Sequence, residues 1–301
     1  MKTYIFGAGG LVGKQLLSEV HNSHQLPVAI PWEERDTVIE MIREWLKSLD
    51  RHEPFRIIWA AGVGTVGATV DSLENETSLF KEFLGLLKLQ KGTIRSVLLI
   101  SSAGGIYAGC DDERINEDST VRPISEYGTA KLAQENSLEV ASKELGFTSL
   151  VARLSNVYGP NQNLLKRQGL ISNLVASTYK REPLPIYVSI DTRRDYIHVK
   201  DVAQVVNRFQ DLSESLPVGN YMKIICSGST HTIAEIIGQI KLVSKRKPPI
   251  IFSTSINSSF QPMQLAFESI RHTELDLIAK TLLPVGIAEL CLKASKGQHL
   301  S

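Results

Sequence analysis

Tyr127 and Lys131 stand four residues apart in the run Pro123-Ile-Ser-Glu-Tyr-Gly-Thr-Ala-Lys131. On a helix, that spacing puts both side chains on one face, a turn apart. A phenol ionises near pH ~10 in isolation, so a tyrosine that takes protons near neutrality needs a cation beside it. Lys131 supplies one. Ser101 and Ser102 close the apolar run Ser96-Val-Leu-Leu-Ile-Ser-Ser102 and offer hydroxyls at a strand end. Taken singly, the tyrosine and lysine read equally as a solvated helix face, and the serines as backbone caps.

A second chemistry-bearing stretch opens the chain. Gly7-Ala-Gly-Gly-Leu-Val-Gly13 follows the β-rich run Thr3-Tyr-Ile-Phe6 and precedes a helical pattern from Leu11 to Val20. Glycines at 7, 10 and 13 let the turn tighten and let the main chain approach a pyrophosphate. The N–H groups of Leu11, Val12 and Gly13, at the head of the helix, favour an anion. Gly9 adds a second reading, Gly7-x-Gly9-x-x-x-Gly13.

These stretches need a scaffold. The 301 residues suffice for one large domain or a large and a small one, with 43% hydrophobic and 22% charged residues. A net charge of +1 gives no electrostatic case for nucleic acid or an anionic membrane. Cys110, Cys226 and Cys291 are scattered and odd in number. They read as reduced thiols of a cytoplasmic protein, without disulfide frame or metal site. No signal-peptide pattern and no apolar run near the ~20 residues of a membrane span is present.

Strands are expected at Pro27–Trp32, Phe55–Gly62, Ser96–Ser102 and Thr148–Leu154, with loops at Gly62–Gly67 and Cys110–Thr120. Helices are expected at Thr37–Leu49, at Leu73–Leu89 and from the Tyr127 region to Leu145, closed by Gly146. This alternation predicts an α/β fold, a doubly wound parallel (Rossmann) sheet. Beyond Asn156, a helix at Leu170–Lys180 precedes a proline-bounded strand at Pro183–Val188. Arg193–Val202 then leads into a helix with Asp201 at its first turn. Strands at Tyr221–Cys226 and Ile250–Phe252 flank a helix at Ile233–Val243, and a last helix covers Val285–Lys293. The expected division is residues 1–155 as a dinucleotide-binding domain and 156–301 as a smaller, interleaved C-terminal substrate lobe, some elements of the second half returning to the first.

In this order the motifs resemble the extended short-chain dehydrogenase/reductase family, in its nucleotide-sugar epimerase/dehydratase branch. The matching pieces are Gly7-x-x-Gly10-x-x-Gly13, Ala60-Ala61, Ser101-Ser102 with Tyr107, and Tyr127-x-x-x-Lys131. Arg153-Leu-Ser-Asn156-x-Tyr-Gly-Pro160, Gln168-Gly-Leu-Ile171 and Arg194-Asp-Tyr-Ile-His198 follow. Within the branch they look most like UDP-glucose 4-epimerases of surface-polysaccharide pathways. The resemblance implies an NAD-dependent enzyme, NADP remaining open, with Tyr127, Lys131 and a serine, Ser102 or Ser101, as catalytic groups. It implies cofactor contacts from Gly7, Gly10, Leu11, Val12, Gly13, Ala60, Ala61, Asn75, Ser101, Tyr127 and Lys131. Ser102, Asn156 and Arg194 would bind the nucleotide sugar, Arg194 clamping its diphosphate; His198 reads as a structural partner. Tyr127 would remove the proton of the sugar 4-hydroxyl as hydride passes to NAD, and the 4-keto sugar would then be reduced from its other face. The family also implies a homodimer, to which Leu79, Phe83, Leu86 and Leu87 are candidates to contribute, although core packing explains them equally.

Departures from the family's pattern stand out. Where an acidic residue should hold the cofactor ribose about 20 residues past the glycines, Ile30-Pro-Trp32 stands, followed by Glu33, Glu34 and Arg35. One strand, not two, precedes the helix at Thr37. The second diphosphate arginine has Arg271 as its candidate, and no acid pair follows Ser102, which argues against 4,6-dehydration. The alternatives to epimerisation are an NADPH-dependent 4-keto nucleotide-sugar reductase and, more remotely, a cofactor-sensing regulator without catalysis.

Overall fold

The computed structural model describes residues 1–25, 30–62, 67–162, 169–253 and 262–296. Pro27, Val28 and Ala29 of the expected second strand, residues 63–66 of the expected loop and Gln168 lie outside them. The first half runs β1 (Lys2–Phe6), α1 (Leu11–Glu19), β2 (Ser23–Gln25), α2 (Arg35–Ser48), β3 (Phe55–Trp59), α3 (Val70–Leu86), β4 (Ile94–Ser102), a one-turn α4 (Ala103–Ile106), α5 (Glu126–Leu145) and β5 (Thr148–Leu154). The second half runs β6 (Asn156–Tyr158), α6 (Leu170–Lys180), β7 (Leu184–Ile186), β8 (Arg193–His198), α7 (Val199–Leu212), β9 (Asn220–Ile225), β10 (Thr230–Thr232), α8 (Ile233–Ser244), β11 (Ile250–Phe252), β12 (Gln264–Leu265) and α9 (Leu283–Ser295).

The main sheet is parallel, in the order β2-β1-β3-β4-β5-β9. The chain turns outward to β2 and then crosses to β3 on the other side of β1, so a crevice opens at the carboxyl ends of β1 and β3. Alternate residues feed two cores. Phe55, Ile57 and Trp59 pack under α2, α3 and α5, whereas Ile58, Leu150 and Ala152 pack under α1 and α7. Trp59, 1% exposed, anchors the crevice floor with ring centroids 4.4 Å from Phe83 and 5.1 Å from Phe6. Each such pair adds about 0.5–1.5 kcal/mol beyond the area it buries.

β9 and α7 come from the second half yet complete the main sheet and its second face. The remaining second-half elements form a separate core around Leu174, Ile236, Ile240, Ile287 and Leu290. β6, β8, β10 and β12 make a small sheet beside the crevice, and β7 pairs with β11.

The second strand differs from expectation. Ile30–Trp32 form no strand; the strand is Ser23–Gln25, in register with Thr3–Ile5. Pro31 has no N–H to donate to a ladder, whereas Ser23-His-Gln25 is a polar edge strand without the apolar alternation that marks buried ones. Leu79, Phe83, Leu86 and Leu87 are all buried in the core of their own chain, so none forms an outer apolar seam. No helix among the described residues is long and apolar enough to cross a membrane.

Candidate active site

The glycine turn is tight because its residues permit it. Gly7 has φ +84°, and a Cβ there would sit 2.4 Å from the Ala61 nitrogen. One on Gly13 would sit 2.1 Å from the Gly7 carbonyl oxygen. These two glycines let α1 close onto β1 and β3. A side chain at Gly9 would meet nothing within 4 Å, and α1 has neither a capping side chain nor an acid in its first turn. Its leading N–H groups therefore face open space.

α5 starts where Ser125 Oγ accepts a hydrogen bond from Gly128 N (3.2 Å) and stops at Gly146 in the left-handed conformation. It crosses α4 closely. A Cβ on Gly128 would lie 2.2 Å from the Gly105 carbonyl oxygen, and one on Gly105 would lie 3.0 Å from the Tyr127 ring. This contact sets how far Tyr127 stands into the crevice. Gly128→Ala is expected to push α5 outward, costing about 1–3 kcal/mol and at least roughly tenfold in kcat. Denaturant unfolding alongside steady-state kinetics measures both; an unchanged kcat would show that this contact does not position Tyr127.

Tyr127, Lys131 and Ser102 line one cleft with Gly7, Gly10, Leu11, Val12, Ala60, Ala61 and Ser101. The cleft continues past Asn156 and Arg194 into the second lobe, with a volume of about 1560 Å³. That exceeds the roughly 300–1,000 Å³ usual for one small ligand and suits two end to end. Lys131 Nζ lies 5.9 Å from the Tyr127 ring centroid. The lysine is 6% exposed and donates to Glu76 Oε1 (2.9 Å) and Gln134 Oε1 (3.1 Å). Burial pushes Lys131 toward the neutral amine, but the Glu76 carboxylate and the Tyr127 phenol outweigh it and raise its pKa above the ordinary lysine value.

The two serines differ. Ser101 Oγ donates to Glu135 Oε1 at 2.6 Å, so its proton is spent. Ser102 Oγ accepts from Gly105 N (3.1 Å) as the N-cap of α4, which leaves its own proton for a ligand. Ala103 is fully buried. Beneath the serines, Arg153 grips Glu135 through Nε (3.0 Å) and Nη2 (2.6 Å) while Nη1 bonds the Tyr107 hydroxyl. Burial opposes the charge of Arg153, but Glu135 more than compensates and raises its pKa.

In the second lobe, Asn156 Nδ2 donates to the Asp195 carbonyl (2.9 Å), and its side chain lines the cleft. Arg194 is held by the carbonyls of Arg193 (2.8 Å) and Pro262 (2.7 Å), and burial lowers its pKa. Asp195 faces the other way, with its carboxylate accepting from Ser155 Oγ (2.5 Å), Ser227 N (3.0 Å) and Ser227 Oγ (2.9 Å). The two neighbours therefore form no ion pair with each other. Burial pushes the Asp195 pKa up against these donors.

Gly13 is buried behind the turn and does not line the cleft, and two further expected residues fall elsewhere. Asn75 is exposed on α3 and does not line the cleft, because its neighbour Glu76 takes the inward position. Arg271 pairs with Asp118 (2.7 Å) and also stands outside the cleft lining. Conversely, Lys14 and Trp32 line the first-lobe half, and Asn173 and Tyr187 the second. Nothing in their sequence spacing marks these four.

His198 is 3% exposed; its Nδ1 accepts from Lys200 N (3.4 Å), and its Nε2 lies 3.3 Å from Glu289 Oε2. Burial holds its pKa below the usual 6.5, only partly opposed by Glu289 and Asp201. The unfolded chain therefore takes up this proton at a higher pH than the folded one. Stability present above pH 6.5 is lost as the pH falls through the lower folded value. His198→Asn is expected to flatten that part of the decline in Tm between pH 7 and 5, measured as the difference from wild type. Parallel curves would refute it.

The sequence profile of the NAD dependent epimerase/dehydratase family matches residues 3–222. The chain belongs to that family. The dTDP-4-dehydro-6-deoxyglucose reductase of Escherichia coli is 29% identical over 162 residues, 54% of this chain and 50% of that enzyme. The chain thus spans about half the length of this curated relative. The structure of Thermotoga maritima UDP-glucose 4-epimerase with UDP-glucose matches with a TM-score of 0.81 at 19% identity, covering 99% of both chains. RMD from Pseudomonas aeruginosa, complexed with NADPH, matches at 0.77 and 22% identity over 98% of this chain and 99% of its own. Likeness at such identities establishes the shared fold.

For a member of the epimerase/dehydratase family, the dinucleotide is the group whose fit matters. The open space at Gly9 and the uncapped head of α1 suit a pyrophosphate, and Ala60 and Ala61 keep the β3 end small. The residues present fit the cofactor. In sequence, Leu26-Pro-Val-Ala29 follows β2 and carries no acid. Arg35, at the head of α2, is paired with Glu82. Among the described residues no cluster of His, Cys, Asp or Glu could hold a metal ion.

Proposed function

We propose that this chain is a nucleotide-sugar 4-epimerase of the UDP-hexose type, working with a tightly held nicotinamide dinucleotide through a 4-keto sugar. The observation that carries the reading is one continuous cleft. The glycine turn lies at one end, Asn156 and Arg194 at the other, and Tyr127, Lys131 and Ser102 between them. In this reading residues 1–155, completed by β9 and α7, hold the dinucleotide, and residues 156–301 mainly hold the nucleotide sugar. The homodimer belongs to the same reading; through α3 and α5 it would meet over exposed Glu74, Lys81, Glu139 and Lys143.

Each residue has a defined task. Tyr127 takes the proton of the sugar 4-hydroxyl at its phenolic oxygen and later returns it. Ser102 donates its free hydroxyl proton to that sugar oxygen. Lys131 supplies the positive charge that favours the phenolate and keeps one N–H for the cofactor ribose. Arg194, held by backbone carbonyls, presents charge to the diphosphate. The bound dinucleotide supplies a two-electron acceptor and donor beside the sugar. The one-turn α4 after Ser102 carries no acid, which disfavours 4,6-dehydration.

Purified protein incubated with UDP-glucose or UDP-glucuronic acid, without added cofactor, is expected to yield the 4-epimer by NMR and to release NAD on denaturation. Absence of epimer from both sugars would overturn the UDP-hexose reading. A second reading, an NADPH-dependent 4-keto nucleotide-sugar reductase, draws support from the missing acid beyond β2. The E. coli relative named as a reductase and the NADPH complex of RMD support it too. Stoichiometric oxidation of NADPH by a 4-keto sugar nucleotide would decide for it.

A further inference from the structure

We propose that Glu76 is a positioning residue for the active site, a buried carboxylate that clamps Lys131 as an ammonium and fixes its direction into the cleft. The proposal rests on the oxidoreductive reading above. It arises from the turn of α3 where Asn75, expected to serve the cofactor, does not line the cleft while its neighbour Glu76 faces Lys131.

Lys131 and Glu76 each leave only 8% of their side chains exposed. Gln134, fully buried, closes a triangle, since its Nε2 donates to Glu76 Oε1 (3.0 Å) while its Oε1 accepts from Lys131 Nζ (3.1 Å). Gly62, just past β3, completes the enclosure: a Cβ there would lie 2.9 Å from Glu76 Oε1. An ammonium has three N–H donors. Glu76 and Gln134 take two, and the third is left for the cleft that Lys131 lines.

The clamp also sets charge. A buried lysine tends to shed its proton, and the opposing carboxylate at 2.9 Å prevents this. Among the described residues, ionisable groups that face the pair include Tyr127 and Glu135 from α5, Arg153 from β5, which is tied to Glu135, and Tyr107 behind Arg153. β4 contributes the neutral Ser101 and Ser102. Glu135 is already paired with Arg153, whereas Glu76 is the carboxylate that touches Lys131 directly.

The test uses Glu76→Gln, which keeps the size and an oxygen facing Nζ but removes the charge. Burial then acts on Lys131 with only Tyr127 and Glu135 opposing it, and the alkaline limb of kcat/KM moves toward neutrality. Activity at pH 9 relative to pH 7 is expected to fall roughly tenfold, while Glu76→Asp keeps the wild-type limb. A second readout needs no turnover. Lys131→Met removes the cation beside buried Glu76 and lowers Tm, and Lys131→Met with Glu76→Gln is expected to recover at least half of that loss. An unchanged pH profile in Glu76→Gln, or a double variant no more stable than Lys131→Met, would overturn the proposal. If the wild-type protein turns over no sugar nucleotide, the enzymatic reading fails, and the melting cycle still decides whether the clamp exists.

Discussion

Tyr127→Phe is expected to lower kcat by about 10²–10⁴, the range that a positioned general acid–base group contributes, with folding and cofactor content unchanged. The substitution is unusually clean. The Tyr127 ring packs against Gly105 and within reach of Lys131, and both contacts survive in phenylalanine. Its hydroxyl has no hydrogen-bond partner among the described residues, so its removal strands no buried group. Stability should therefore stay within about 0.5 kcal/mol of wild type. Single-turnover kinetics separates the two contributions: substrate KM stays near wild type while the chemical step slows. Retained turnover would remove Tyr127 from the proton path and with it the epimerase and reductase readings together.

The largest expected effect on stability lies below the site. Arg153→Met removes the partner of Glu135, and both side chains are only 8% exposed. Breaking a buried ion pair on one side costs about 3–5 kcal/mol, because the remaining charge loses its ion-pair partner without gaining solvent. The loss also frees the Tyr107 hydroxyl, and it removes the guanidinium that holds the carboxylate to which Ser101 donates. Arg153→Met with Glu135→Leu should recover more than half of the loss, since paired removal of buried charges is often close to neutral. Urea unfolding of the wild type, both single variants and the double variant measures the cycle. Equal stability of Arg153→Met and wild type would mean that the pair is solvated in solution.

Much of this arrangement can be read from the chain alone, for physical reasons. The glycine turn announces itself because only residues without Cβ fit where Gly7 and Gly13 meet neighbouring backbone at 2.4 and 2.1 Å. β5 at Thr148–Leu154 and α6 at Leu170–Lys180 match expectation residue for residue. Their cue is apolar content bounded by a glycine or charged residues. Polar edges leave no such cue, and Ser23–Gln25 pairs with β1 while looking like a loop. Asn75 and Glu76 illustrate a different limit. One residue along a helix turns the side chain by about 100°, so a motif aligned by order alone can select the wrong neighbour. A glutamate on a helix also reads as a solvated face until Lys131 is found 2.9 Å away. Arg271 had only its residue type in its favour, and Asp118 claims it.

The return of β9 to the edge of β5 has a bearing on how the molecule comes into being. Asn220–Ile225 is the sixth strand of the main sheet and arrives over sixty residues after β5 is complete. Until then the flank of β5 offers open main-chain groups, a template for unwanted pairing. Such distant closure also slows folding. On the ribosome, the cofactor half would wait, unfinished and adhesive, for a ribbon synthesised much later. A chaperone that shields that flank during synthesis would act at the moment of greatest risk.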